Sequence, residues 1–138
     1  MSTQSSLTPD LPIPQETFEQ IARELSHADN APAAFFKAWK RSVEITGYHL
    51  FGGKTEDAFI AAQTRWDMCP DLALIDDAIS VMSSGERVFL AALVSFYNAD
   101  AGGKLFKRVG VKGLADLGVL DLNRRTLIAK LILNYHGW

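Results

Sequence analysis

The segment Phe51-Gly52-Gly53-Lys54-Thr55 ends in Gly-Lys-Thr, as a phosphate-binding loop does. In such a loop the glycine backbone N–H groups and the lysine cradle phosphate oxygens, and another glycine must stand five positions before the second one. That position, 48, is Tyr48, and Gly47 misses it by one. The loop must also follow a buried strand, whereas this one follows an aromatic, helical-looking stretch. A glycine turn with a threonine helix cap accounts for the same residues, so no nucleotide is expected. Gly-Gly-Lys recurs at 52–54 and 102–104, but the flanks differ. Trp39, Arg41 and Thr46 align with Phe89, Ala91 and Phe96, so the two are separate loops and not a repeat.

Metal binding needs converging ligands, yet His27, His49, His136 and Cys69 are scattered without paired helical spacing. Asp67, Cys69 and Asp71 lie closer together, but Pro70 splits them and the carboxylates disfavour a thiolate. Acid–base or nucleophilic catalysis needs a nucleophile, a base and an orienting group in one place. Asp76 and Asp77 are adjacent within a helix and therefore point to different sides. No catalytic residue, metal site or cofactor is expected.

Two features remain. The first is a run of large aromatics on one helical segment, with Phe35, Phe36 and Trp39 at its centre. Adjacent phenylalanines cannot both hide behind one face, so this segment is either central or presents an aromatic side chain to a protein partner. The second is the distribution of charge. The chain of 138 residues has a net charge of −2, but its cations crowd into the last third. Lys104, Lys107, Arg108, Lys112, Arg124, Arg125 and Lys130 face only Asp116 and Asp121 there. A short helix over 113–120, a turn, and a helix opening on Arg124 and Arg125 imitate a helix-turn-helix, whose second helix enters the major groove. Lys104, Lys107, Arg108, Lys112, Arg124 and Arg125 are thus the candidate contacts for nucleic acid or another anion. Alternatively, these cations pack against acids of the chain's own body.

The elements that must position these residues are all helical. Pro14 opens a first helix carrying Phe18, Ile21, Ala22 and Leu25 on one face. The cluster Ser26, His27, Asp29, Asn30 closes it, and Asn30 caps a second helix that Gly47 ends. Thr55 caps a third, with Phe59, Ala62 and Trp66 inward, running toward Pro70. A short helix follows with Leu72, Ile75, Ile79 and Met82 on one side. Ser83 and Glu86 form a capping box before a helix that is apolar nearly all round, over 85–98. Residues 99–103 read as a loop because of Asp100 and paired glycines. Asp121 or Asn123 caps the last helix, with Leu127, Ile128, Leu131, Ile132 and Tyr135 inward. Val109-Gly110-Val111 is the only β-like fragment.

The expected fold is therefore all-α, a single domain over 14–138 with about six helices around the central 85–98 helix. Residues 1–13, rich in Ser, Thr and Pro, read as a flexible leader. An apolar fraction of 48% and charged fraction of 22% are those of an ordinary globular protein. The lone cysteine and the lack of a secretory-type start point to the cytoplasm, and no apolar run is long enough for a membrane. Three functional readings follow. The first is a non-enzymatic helical accessory or regulatory protein that self-associates and works through protein–protein contacts. The second is a nucleic-acid-binding regulator using residues 104–125. The third is an enzyme whose site sequence cannot reveal.

Overall fold

The computed structural model describes residues 12–138, and within them every regular element is helical. Most of the leader expected over 1–13 lies outside the described residues. Six α-helices are present: α1 (Gln15–Thr46), α2 (Glu56–Ala61), α3 (Leu72–Ala78), α4 (Ser84–Tyr97), α5 (Ala99–Val109) and α6 (Leu122–Asn134). Tighter helical turns at Tyr48–Leu50, Arg65–Met68 and Ile79–Val81 and a longer tight helix at Leu114–Val119 link them. Contacts divide the chain into two units, Met1–Asn30 and Ala31–Trp138.

In the first unit every residue over 15–30 is both helical and exposed. The two helices expected here are one, because the capping residue does not cap. The Asn30 amide turns back and donates to the Ser26 carbonyl at 2.9 Å, so the helix passes through and takes Pro32 inside it. The bond that Pro32 cannot donate falls in an exposed stretch, where an unpaired carbonyl is hydrated at little cost.

The second unit holds the core. The central helix is α4, within one residue of the expected span. Its residues Leu90, Ala91, Leu93 and Val94 have no exposure at all, and Phe35, Trp39, Val43, Ile75 and Leu131 join them from α1, α3 and α6. Ser83 and Glu86 form the expected reciprocal cap: the Ser83 N–H donates to Glu86 Oε1 at 3.0 Å, and the Glu86 N–H to Ser83 Oγ at 3.4 Å.

Residues 99–103 are not a loop but the start of α5. Asn98 ends α4 and caps α5, its Oδ1 accepting from the Ala101 N–H at 2.9 Å. The Asn98 cap outweighs the helix-breaking tendency of the two glycines. One of them is needed for packing: a Cβ on Gly102 would stand 2.3 Å from Ser95 Cα of α4. Val109-Gly110-Val111 is likewise no strand. It is the end of α5, with Gly110 left-handed at φ 85° and the Val111 N–H returning to the Phe106 carbonyl at 2.8 Å.

The third helix is shorter than expected. Thr55 does cap α2, but α2 ends at Ala61, and a second start signal, Thr64 with Asp67, opens the turn Arg65–Met68. Trp66 is consequently 56% exposed and not part of the α2 packing face. In α6, Leu127, Ile128 and Leu131 are buried as expected, whereas Ile132 is exposed. Tyr135, just past the helix, is partly exposed but turns its ring inward against Phe35 and Phe96.

Candidate functional site

The Gly-Lys-Thr segment is a structural corner. Backbone bonds from Gly52 N–H to Cys69 O and from Asp71 N–H to Leu50 O, both 2.8 Å, tie it to the chain before α3. Gly52 has φ +55°, and a Cβ there would fall 2.0 Å from the Asp67 carbonyl oxygen, so only glycine fits. Lys54 pairs with Asp71 at 3.1 Å, and Thr55 Oγ1 accepts from the Ala58 N–H at 3.1 Å. Both motif side chains are thus engaged in holding the corner.

The acid-and-thiol group beside it is similarly occupied. Asp67 accepts from the Gln63 and Thr64 N–H groups at 2.9 and 3.0 Å, and these bonds hold its carboxyl below the usual carboxylate range. Asp71 caps α3 through the Leu74 N–H, which with Lys54 lowers its carboxyl too. Burial pushes the Cys69 thiol up, and its S–H donates to the Trp66 carbonyl, the reverse of what a nucleophile requires. Among the described residues no group of His, Cys, Asp and Glu converges to hold a metal ion.

Of the aromatic trio, Phe35 and Trp39 are completely buried. Trp39 is anchored by its indole N–H to the Met68 carbonyl at 2.9 Å and lies 4.7 Å, ring to ring, from Trp138. These two belong to the core and offer nothing to a partner. Phe36 is half-buried, with the Lys40 ammonium 5.8 Å from its ring. Residue spacing carries no sign that Trp138 joins Phe35, Trp39, Trp66 and Tyr97 in one cluster. Such long-range ring contacts leave no periodic trace.

The basic residues of the last third do not present one uncommitted face. Arg108 pairs with Asp76 of α3 at 2.7 Å, and Lys104 with Asp100 at 3.5 Å. Arg124 pairs with Asp121 at 2.6 Å and lies 5.7 Å from the Phe89 ring. Arg125 donates to the Gly118 and Leu120 carbonyls at 2.8 and 3.2 Å. Lys107 and Lys112 are exposed and, among the described residues, form no ion pair. The helix expected over 113–120 is a tighter six-residue helix, Leu114–Val119, so the helix-turn-helix likeness is to sequence and not to geometry.

Two surfaces escaped the sequence reading. One is the face of residues 15–30, where the apolar stripe read from the spacing is exposed: Phe18 is 52%, Ile21 44% and Leu25 63% exposed. The other is a groove of about 390 Å³ between the later part of α1 and α6, lined by Ala34, Ala38, Leu127 and Leu133 together with the cations Lys37, Arg41 and Lys130 and with Asn134. The apolar spacing of the first was legible; its exposure was not. The groove arises from helix packing, which residue spacing does not encode. No protein-family model, no curated protein and no solved structure matches this chain.

Proposed function

We propose that this chain is a non-enzymatic helical accessory or regulatory protein that self-associates and acts through protein–protein contacts. The observation that carries the reading is the uncovered stripe Phe18, Ile21, Leu25 on a helical segment with no buried residue. A short isolated helix is marginal in water, and its stability comes from packing an apolar face. Full burial of a Phe, Ile or Leu side chain is worth about 1.5–3 kcal/mol, and roughly half remains available at each of the three. Occupied carboxylates, a raised thiol and engaged motif side chains also favour a binding role over catalysis. The lone Cys69 suits the reducing conditions of the cytoplasm, and among the described residues no helix is long and apolar enough to cross a membrane.

Light scattering on the full chain tests the reading. The expected mass is a multiple of the 15.2 kDa chain, and Ile21→Glu with Leu25→Glu returns it to one chain with unchanged helical circular dichroism. A wild-type mass of one chain at every concentration, or assembly indifferent to both substitutions, would refute it.

A further inference from the structure

We infer that the groove between α1 and α6 seats residues 16–29 of a second copy of this chain. The inference rests on the self-association proposed above and adds where the exposed stripe docks.

Shape and polarity agree on the two sides. The groove lining is largely apolar, from Ala34, Ala38, Leu127 and Leu133, with Asn134 among its polar members. The incoming segment offers Phe18, Ile21 and Leu25, spaced to project from one side of a helix. An amphipathic helix laid in an apolar groove, read as anchors at i, i+3 and i+7, is a recurrent recognition mode.

Charge selects this occupant. Lys37 and Lys130 line the groove and are exposed, and among the described residues neither forms an ion pair, whereas Arg41, the third cation of the lining, is paired with Glu44. Residues 16–29 carry Glu16, Glu19, Glu24 and Asp29 against Arg23 alone. On a helix Glu19 and Glu24 flank the apolar stripe on opposite sides. Among the described residues neither forms an ion pair: Glu19 accepts from Gln15 at 3.4 Å and Glu24 from Gln20 at 3.0 Å. A largely apolar seat lined by cations thus matches an apolar stripe flanked by anions. Pairing one stripe directly with another would instead bring these acidic flanks together.

Charge exchange on the full chain tests the seat, with light scattering over a concentration series as the readout. Lys37→Glu with Lys130→Glu, and separately Glu19→Lys with Glu24→Lys, should each raise the dissociation constant at least about tenfold. All four substitutions in one chain restore opposite charges and should recover most of the wild-type affinity. The four positions are exposed, so circular dichroism should stay unchanged throughout. Wild type at the mass of one chain removes self-association and this seat together. Assembly that Ile21→Glu with Leu25→Glu abolishes, but that groove reversal leaves intact, keeps self-association and overturns the groove as its site. Loss in both double variants without recovery in the combination also overturns it.

Discussion

Carboxylates start several helices in this protein, and their bonds set its response to acid. Backbone N–H groups hold Asp67, Asp71, Glu86, Asp116 and Asp121 below their ordinary range, with the Ser83 backbone the leading cause at Glu86. A folded-state pKa below the unfolded one gives stability that is present above the ordinary carboxylate range and lost as pH falls through it. The thermal midpoint should therefore be flat near neutrality and decline on the acid side of that range. Glu86→Gln should flatten part of the decline, and an unaltered profile would count against the cap. Ser83→Ala should cost about 1 kcal/mol at neutral pH, read by denaturant unfolding. At this scale the sequence was informative where a cap is local: Ser83, Thr55 and Asp121 all cap as their spacing indicates. Asn30 misled because one amide can serve either a cap or the preceding carbonyl, and spacing does not decide between them.

Among the helices, the α4–α5 corner separates two glycines that look alike in sequence. Gly102 meets the Ser95 backbone, whereas a Cβ on Gly103 would meet nothing within 4 Å. Alanine is the better helix former by about 1 kcal/mol, so Gly103→Ala should raise stability by about 0.4–1 kcal/mol. Gly102→Ala should lower it despite the same gain, since α5 must move off α4. Opposite signs in paired urea titrations are the expected result, and equal signs would mean that the close approach is absent. Helix type was legible from periodicity in α6 and from the capping box and the long apolar run in α4. Boundaries failed where two signals competed, as at Pro32 within α1 and at Thr64 after α2. The groove was not legible at all, because Ala34 and Leu133 are brought together only by the packing of α1 on α6.

For the molecule as a whole, the question is what its basic end does with its charge. Residues 101–138 look like a nucleic-acid footprint in sequence, but most of those cations already have partners. A cation that must leave a carboxylate to meet a phosphate gains little, because it exchanges one ion pair for another. Binding driven by phosphate contacts weakens with the logarithm of salt at a slope of about 0.9 per contact. The six candidates acting together would give a slope of about 5, whereas Lys107 and Lys112 alone would give no more than about 2. Fluorescence anisotropy with a short duplex, titrated at several salt concentrations, measures this directly, and the shallow slope is expected. Arg124→Ala with Arg125→Ala should leave that slope nearly unchanged. It should instead cost about 1–3 kcal/mol of stability, because Arg125 holds the carbonyls of Gly118 and Leu120 and Arg124 closes the start of α6. A steep slope that the double variant abolishes, at unchanged thermal midpoint, would give the basic end to nucleic acid. The shallow slope with a lowered midpoint makes these arginines fastenings of α6 and leaves recognition to the stripe of residues 15–30.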